Sequence, residues 1–505
     1  MDAEHDVDQD AAPDLTGVVA DGSSQGPTDA PTDDEGAAAP AGGVSLNQVL
    51  ALLLGVIGLR LGMESLHDNS FFTHLATGRL IFDTGAIPKA DPYSFTAFGE
   101  PWTVQSWGAS VIYAAVEDVA GLVGIRVLVG ICSAAVAVLA WKLTRPAEML
   151  AGRLSIAVPV IAIGAGLWVE RPLIFSLLFL AAVLFAVEDR LDPIWLLPIM
   201  WAWVNVHGSF PIGLMAIGVY LVGRLLDRER PEVEAKALGW ALVGTVLGGL
   251  LSPVGPKLLT FPFQLLERRE AFSQIVEWQP PEWSEWSERF FAIQLLLAVV
   301  LILWRARSWR NIVPVVVFAA LSLQSTRNIV HASIVMIPAM AVAAAGLGTI
   351  DGRRTLPVLR PIRAVLVALG VVVFGAGLAM PDANLVDYPV EAAEWMRDEG
   401  LLDRDARVVS RDFVGNYLEV RYGPEKVRVY IDDRVDMYPV PLIADYTTLI
   451  DPEGDYAAVL ERAEATAVLW DTDSDFGDWL EDPVNGWTIV HRDDLWMVAV
   501  PTTEA

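Results

Sequence analysis

Residues 122–143 read LVGIRVLVGICSAAVAVLAWKL, an almost continuous apolar run of the length that crosses a bilayer as a helix. Comparable runs recur from Val44 to Met380, and they predict about eleven spans. This recurrence indicates a polytopic α-helical membrane protein. The candidate spans are residues 44–64, 122–143, 154–169, 172–188, 193–206, 209–225, 236–252, 289–304, 310–326, 329–348 and 363–380.

The overall composition decides less than the distribution of apolar residues. The 505-residue chain is 53% hydrophobic, a fraction that soluble domains also reach. Its formal net charge of −28 argues against nucleic-acid binding, because a surface that binds phosphates should be basic. Cys132 is the only cysteine, so an intrachain disulfide is excluded. The N-terminus is acidic and does not have the pattern of a cleavable signal peptide.

The chain divides into three predicted parts. Residues 1–43 are rich in small and acidic residues, which predicts a disordered, acidic cytoplasmic tail. Residues 44–380 hold the spans and a long first loop, residues 65–121. Residues 381–505 alternate short strand-like and helical segments, which predicts a small soluble α/β domain. The predicted strands are 407–410, 427–431, 466–470, 487–490 and 496–500, and the predicted helices are 390–401, 441–449 and 456–465.

Basic residues predict the orientation of the spans, since short cytoplasmic loops are enriched in Lys and Arg. Alternate connections are basic, and they carry Lys142, Arg145 and Arg153, then Arg190, then Arg224, Arg228, Arg230 and Lys236, then Arg305, Arg307 and Arg310, then Arg353, Arg354, Arg360 and Arg363. We therefore predict a multi-pass protein of the cytoplasmic (inner) membrane, with loops 65–121 and 253–288 and the C-terminal domain outside. Residues 104–119 contain Gln105, Glu117 and Asp118, and they predict an interfacial helix instead of a span.

Unusual polar residues collect at the ends of the spans that are predicted to face outward. Charged groups near the hydrocarbon boundary are costly unless they line a wet cavity or pair with one another. Their collection on one side predicts a polar cavity that opens outward, although interfacial anchoring by single side chains is an alternative for each residue alone. The members are His67, Asp68, Asn69, His74, Arg79, Glu170, Arg171, Asn205, His207, Glu277, Trp278, Gln279, Arg327, Asn328 and His331.

The first outer loop carries the most informative motif. It contains HDNSFFTHLATGR at residues 67–79, then GAIPKADPYSF at 85–95 and EPWTVQSW at 100–107. An acidic residue at the end of the first span, followed by a long outer loop with juxtamembrane helices, resembles the GT-C superfamily of membrane glycosyltransferases. The pattern is similar to that of a group of bacterial GT-C-like membrane proteins. Residues 408–417 weakly resemble the Trp-Trp-Asp-Tyr-Gly region of oligosaccharyltransferase catalytic subunits, but they lack the tryptophans.

The resemblance implies a function. It implies a polyprenyl-phosphate-linked sugar donor, transfer at the outer face, and a glycan, lipid or protein acceptor. Such transfer needs a carboxylate at the acceptor hydroxyl and cations at the departing phosphate. The alternatives from other classes are a transporter or flippase for lipid-linked sugars, and a non-enzymatic membrane scaffold.

Candidate roles follow from residue type and position. Asp68 is the candidate catalytic base, with helix capping as its alternative role. Asp91 is the second candidate carboxylate, with an Asp-Pro turn as its alternative. Arg171 and Arg327 are the candidate phosphate ligands, because the guanidinium group suits bidentate phosphate contacts. The substrate-binding set also contains His207 and His331 as secondary donors, and His74 and Arg79, whose spacing from Asp68 would let both face one cavity.

The sequence leaves alternatives open for a bound cation, for residues 430–438 and for three tryptophans. A divalent cation, Mg²⁺ or Mn²⁺, could be held by Asp68, Asp91 and His74, and the sequence does not decide whether one is. The segment YIDDRVDMY at residues 430–438 could contact a saccharide or a cation, but a solvated edge is the favoured interpretation. Trp278, Trp283 and Trp286 predict an interfacial aromatic belt, with sugar stacking as the alternative.

Overall fold

The computed structural model describes residues 43–268, 278–305 and 308–502. The predicted tail of residues 1–43 lies outside these ranges except for Gly43, and Glu277 of the predicted outer set also lies outside them. Residues from Val44 onward pack as one compact unit.

The first part of this unit is helical. Each predicted span overlaps one helix, or two consecutive helices in the case of residues 329–348. The helices are α1 Leu46–Gly62, α2 Asn69–Thr84, α3 Trp107–Leu143, α4 Leu150–Leu167, α5 Leu173–Val187, α6 Leu196–Val206, α7 Phe210–Leu226, α8 Glu232–Leu250, α9 Lys257–Glu267, α10 Trp286–Arg305, α11 Trp309–Gln324, α12 Ile329–Val335, α13 Ile337–Ala343 and α14 Leu359–Leu378.

Within the described residues, five helices are long and apolar enough to cross a membrane, or six if α12 and α13 form one bent span. The other predicted spans coincide with the shorter apolar helices α1, α5, α6, α7 and α11. Eleven spans therefore stay a prediction. The segment 104–119 is helical from Trp107, and it is joined to the predicted span 122–143 through Gly121, whose φ of 62° breaks the helix.

Contacts between connections define two ends of the helical bundle. At one end, Met149 forms a bridge with Asp351, Arg190 donates to the Lys142 carbonyl at 2.8 Å, and Arg310 pairs with Glu188 at 2.9 Å. These contacts join connections of the basic set to one another. We call this the basic end. Which end faces the cytoplasm stays a prediction.

The opposite end is closed by a buried arginine that the sequence analysis did not single out. Arg126 of α3 has no exposed surface. Its guanidinium donates to the carbonyls of Met63 at 3.1 Å, Glu64 at 3.1 Å and Met380 at 2.9 Å, and also to that of Gly377. A cation there is favourable because the last carbonyls of a helix have no partner within the helix and carry the negative end of its dipole. Arg126 thus holds the ends of α1 and α14 together.

The C-terminal part is an α/β unit, as predicted. Its helices are α15 Val390–Asp398, α16 Asp412–Tyr422, α17 Val440–Ile450, α18 Tyr456–Ala463 and α19 Asp475–Glu481. Its strands are β1 Val408–Ser410, β2 Ala467–Asp471, β3 Trp487–Arg492 and β4 Trp496–Pro501. The sheet has the order β1-β2-β4-β3, with β1 and β2 parallel and the other pairs antiparallel.

The predicted strand 427–431 is wrong, and the reason is a partner that lies far away in the sequence. Val429 forms a single parallel bridge with Ser94 of the first loop instead of joining the sheet. The Phe95 amide donates to the Val429 carbonyl at 2.9 Å, and the Val429 amide donates to the Tyr93 carbonyl at 2.9 Å. The first loop and the segment after Val429 are therefore held side by side.

Aromatic side chains attach α2 to its two neighbours. On one side, the Phe71 ring lies 5.3 Å from the Tyr113 ring of α3, centroid to centroid. On the other side, the Phe72 ring lies 5.4 Å from that of Tyr388, which in turn lies 5.5 Å from the Phe413 ring of α16. These rings belong to one hydrophobic core, which residues on both sides of position 380 share. The predicted domain boundary at residue 380 therefore stays a prediction.

Candidate functional site

The start of α2 combines a helix cap with an ion pair. Asp68 is the N-cap residue, and its Oδ1 accepts a hydrogen bond from the Ser70 amide at 3.1 Å. Its Oδ2 accepts from Nε of Arg171, which lies in the connection between α4 and α5. Asp68 is 8% exposed and Arg171 30% exposed. The capping role and a site role are therefore both compatible with the position of Asp68.

Glu170 fixes the backbone that leads into α2. Its Oε1 accepts hydrogen bonds from the amides of His67 and Asp68, the latter at 2.7 Å. A buried carboxylate needs such donors, because an unpaired charge out of water is costly. Glu170 and Arg171 thus bind neighbouring groups of one short segment, and they anchor the connection between α4 and α5 to the first loop.

His74 lies one and a half turns further along α2. Its Nδ1 is 3.2 Å from the Ser110 hydroxyl of α3. Close packing of the two helices makes this contact possible, since a Cβ on Gly78 would meet the Ser110 carbonyl oxygen at 2.0 Å. Burial, and then the positive charge of Arg171, lower the pKa of His74 to about 4. His74 is therefore neutral at physiological pH.

His207 lies in the connection between α6 and α7, at the centre of the predicted cationic set. Its Nδ1 is 2.9 Å from the Ser176 hydroxyl and 2.7 Å from the Ser209 hydroxyl. Burial lowers its pKa well below the ordinary value, and further contributions come from Arg327, His331, His74 and Arg171, in that order. These side chains come from three separate parts of the sequence, and each lies close enough to His207 to act on its charge.

The last two members come from the bent pair α12 and α13 and the short helix before it. The Arg327 guanidinium lies over the Trp278 ring, 4.5 Å from its centroid. The Thr326 amide donates to the Gln279 carbonyl at 3.0 Å. His331 is 4% exposed, and neither of its ring nitrogens has a hydrogen-bond partner among the described residues.

We refer to Asp68, His74, Arg171, His207, Arg327 and His331 together as the outer cluster. All six were singled out from the sequence.

Arg79 has different partners. Its Nε donates to Glu117 at 2.8 Å, and its Nη1 donates to the Val420 carbonyl at 2.7 Å. These contacts connect α2 with α3 and α16. Because Arg79 lies five residues beyond His74, it projects about 140° away around the helix. The structure therefore does not group Arg79 with the outer cluster.

Asp91 also lies in another cluster. Its oxygens accept from the amides of Tyr93 at 3.1 Å and Ser94 at 3.0 Å, which is the turn that the sequence offered as its alternative role. Its Oδ1 also accepts from Nη2 of Arg434 at 2.7 Å. Asp91 is 2% exposed, and its contacts connect the first loop to the C-terminal part.

The segment 430–438 is buried, so the favoured prediction of a solvated edge is wrong. Asp432 accepts from the Arg434 Nε at 2.8 Å and from the Tyr438 hydroxyl at 2.6 Å. The Arg434 guanidinium lies 4.4 Å from the centroid of the Trp102 ring and 4.8 Å from that of Tyr93. The sequence could not show this burial, because the aromatic rings come from the first loop, far away in the sequence.

Glu419 of α16 completes this second group. We refer to Asp91, Glu419, Asp432 and Arg434 as the loop–domain cluster. Burial, and then the negative charge of Asp432, raise the pKa of Glu419 well above its usual range. Burial would raise the pKa of Asp432 too, but the charge and hydrogen bonds of Arg434 hold it below its usual value. The pKa values of Glu419 and Asp432 are therefore shifted in opposite directions.

Asp433 connects the two clusters. Its amide donates to the Asn416 Oδ1 at 3.1 Å, and Asn416 Nδ2 donates to the Asn69 carbonyl at 3.2 Å. The Thr73 hydroxyl donates to the same Asn416 oxygen at 2.8 Å. The side chain of Asp433 is partly buried against the first turn of α2.

Sequence reasoning missed the roles of Glu170, Asn416 and Glu419. Asn416 and Glu419 lie on α16, a helix that was not predicted. One signal was present: Gly415 would place a Cβ 2.0 Å from the Ile431 carbonyl oxygen, so only glycine permits this close contact. A glycine at that position is nevertheless visible as a contact residue only when the fold is known.

The positions of Asp68, Asp91 and His74 show whether these candidate ligands come together around a cation. Across the described ranges, no group of three or more His, Cys, Asp and Glu side chains could hold a metal ion. In particular, Asp91 pairs with Arg434, whereas Asp68 pairs with Arg171. The set Asp68, Asp91 and His74 is therefore not assembled as a ligand set in this structure.

Comparison with known proteins gives only distant similarity. No protein-family model matches the chain, and no curated protein matches it. Among solved structures, it is similar to the apo form of the Archaeoglobus fulgidus oligosaccharyltransferase, with 13% identity and a TM-score of 0.49 over 85% of this chain and 69% of that chain. The complex of that enzyme with Zn and sulfate gives 12% identity and a TM-score of 0.47 over 85% and 68%. Similarity at this level supports no argument about ligands or activity.

Proposed function

We propose that the chain transfers a sugar from a polyprenyl-phosphate donor to an acceptor hydroxyl at the end of the bundle that holds the outer cluster. The acceptor is a glycan, a lipid or a protein. The observation that carries the proposal is the grouping of one carboxylate, two arginines and three histidines, which come from four separate parts of the sequence. A structural bundle does not need this grouping, since each of these side chains is costly near lipid.

The proposed donor matches the charges of the cluster. Sugar transfer leaves a lipid phosphate, whose negative charge grows as the bond to the sugar breaks. Arg171 and Arg327 would bind its oxygens, because guanidinium groups pair well with phosphate. Asp68 holds the Arg171 side chain in place while about a third of that side chain stays exposed. His74 and His207 are neutral, so they would act as hydrogen-bonding groups instead of cations.

A narrow crevice lies beside the outer cluster. It has a volume of about 70 Å³ and is lined by residues of α1, of α3 and of the end of α4. Its walls include Leu61, Val129 and Trp168, and Glu170 and His67 line the same crevice. Because Glu170 also accepts a hydrogen bond from the Asp68 amide, the crevice adjoins the segment that holds the proposed site.

The test is donor turnover by the full-length protein in liposomes. We would supply undecaprenyl-phosphate glucose, mannose and galactose with a membrane glycan extract, and measure the release of undecaprenyl phosphate. Asp68→Asn should lower turnover by at least about 100-fold, because the ion pair with Arg171 is lost. The matched control is Asp83→Asn, an exposed residue near the end of the same helix, which should retain wild-type turnover.

Two results would count against the proposal. If the wild-type protein released no undecaprenyl phosphate from any of these donors, the transferase would be contradicted. Movement of labelled donor across the liposome membrane without its consumption would favour the flippase alternative. If Asp68→Asn and Asp83→Asn behaved alike, the outer cluster would not be the site.

A further inference from the structure

The strongest unassigned group is the carboxylate of Asp433, which the C-terminal part brings to the first turn of α2. Asp433 belongs to the C-terminal part of the chain, and no sequence feature of the first loop predicts that it lies beside α2. Three hydrogen bonds through Asn416 fix its backbone relative to Asn69 and Thr73. The Asp433 side chain is hydrogen-bonded to the side chain of Ser70. The amide of the same serine donates to the Asp68 carboxylate. Asp433 and Asp68 thus flank the same serine.

The two carboxylates differ in how they are engaged. Asp68 already uses one oxygen for the Ser70 amide and the other for Arg171. Protonation of Asp68 would therefore break its ion pair at the moment when Arg171 has to hold the leaving phosphate. Asp433 has no arginine among the groups that chiefly act on its charge, since those are Asp432, Asp412 and Asp68.

We propose that Asp433 is the catalytic base, and that Asp68 is a positioning residue that holds Arg171. This assignment rests on the proposed transferase function. In the reaction, the acceptor oxygen forms a bond to the anomeric carbon, and the bond from that carbon to the phosphate oxygen breaks. The acceptor hydroxyl proton passes to the Asp433 carboxylate. The polyprenyl phosphate leaves with the electron pair of the broken bond and is held by Arg171 and Arg327.

The electrostatics of Asp433 agree with this role. Burial, and then the charge of Asp432, raise the pKa of Asp433 to about 7, although the Ser70 hydrogen bond partly opposes both. Asp412 of α16 and Asp68 add smaller upward contributions. Burial, and then the charges of Asp68 and Asp433, also raise the pKa of Tyr388. A general base works best when its pKa lies near the working pH.

The experiment compares Asp433→Asn and Asp433→Glu with the wild-type protein in the liposome assay, from pH 5 to pH 9. Loss of a general base costs about 100-fold to 10,000-fold in rate. We expect that loss for Asp433→Asn at saturating donor, with binding of undecaprenyl phosphate within about twofold of wild type. Asp433→Glu should regain part of the rate. The control is Asp387→Asn, an exposed aspartate in the same part of the chain, which should retain full rate.

The pH profile separates a base from a structural residue. Wild-type turnover should fall as the pH drops through about 7, because the base becomes protonated, and the residual rate of Asp433→Asn should not show this fall. If the wild type is active and Asp433→Asn keeps its rate within about threefold, or keeps the same fall, the assignment is overturned while the transferase stands. If the wild type consumes no donor, the assignment of Asp433 and the proposed transferase function are both contradicted. Unchanged phosphate binding by Asp433→Asn verifies that the variant is folded.

Discussion

The outer cluster and the loop–domain cluster have opposite balances of acidic and basic side chains. In the outer cluster one carboxylate meets two arginines and three histidines, and Arg171 is 30% exposed. In the loop–domain cluster three carboxyl groups surround Arg434, which is 6% exposed and covered by two aromatic rings. The first arrangement leaves positive charge accessible to a ligand. The second encloses its charges, and it fastens the first loop to the C-terminal part.

The largest expected effect is on stability, and it comes from the loop–domain cluster. Arg434→Met would leave Asp91 and Asp432 buried without their cation. Removing one partner of a buried ion pair costs about 3–5 kcal/mol, so we expect a large drop in the melting temperature. Thermal unfolding of the protein in detergent measures it. Arg404→Met, which removes an exposed pair with Glu425, is the control and should change stability by less than about 1 kcal/mol. Equal effects would show that the two arginines are equally structural.

The next effect tests the contact that joins the two clusters. Gly415→Ala would place a methyl group against the Ile431 carbonyl and push the segment that holds Asp432 and Asp433 away from α16. Overpacking of this kind costs about 1–3 kcal/mol, and donor turnover should fall as well. The control is Gly375→Ala on α14, where a Cβ meets nothing within 4 Å. If Gly415→Ala kept both stability and turnover, the contact would not position Asp433.

A smaller effect concerns pH. The pKa of Glu419 is raised in the folded chain, so its contribution to stability is complete below its ordinary pKa and is lost as the pH rises through the raised value. As the pH rises, the melting temperature of Glu419→Gln should therefore fall by about 2–4 °C less than that of the wild type. Some slope should persist, because burial also raises the pKa of Asp433 to about 7 and that of Asp436 to about 6. An identical pH dependence in the variant and the wild type would contradict the raised pKa of Glu419.

The smallest effect separates Arg79 from the outer cluster. Arg79→Gln removes a partly exposed pair with Glu117, which contributes about 0–1 kcal/mol. Because the contacts of Arg79 lie with α3 and α16, binding of undecaprenyl phosphate should stay within about twofold of wild type. A tenfold loss of binding would restore the sequence-based prediction that Arg79 contacts substrate.

The helices of the bundle could be predicted because they depend on local information. An apolar run such as residues 122–143 becomes a helix whatever it packs against. The grouping of Asp68 with Arg171 followed from the alternation of basic connections, which brings distant loops to a common end. The fate of Val427–Ile431 could not be predicted in this way, since its partner in the first loop lies more than 300 residues away.

Site roles were harder to predict than site membership. Asp68 and Asp91 are both aspartates that the sequence places at a helix cap or a turn. Only their arginine partners distinguish their roles. Those partners, Arg171 and Arg434, are separated from them by about 100 and 340 residues. The buried state of Asp432 depends on Trp102 and Tyr93, which no local pattern connects to it. Charge balance around a carboxylate is therefore a property of the fold.

The central claim is that the outer cluster binds a lipid phosphate, and direct binding tests it. Undecaprenyl phosphate is titrated against the full-length protein in nanodiscs, and the Kd is compared for the wild type, Arg171→Gln, Arg327→Gln and the control Arg404→Gln. The proposed site predicts at least a tenfold weaker Kd for each of the first two variants, about 1.4 kcal/mol, and no change for the control. If all four proteins bind equally, the cluster does not hold the phosphate and the proposed function is contradicted.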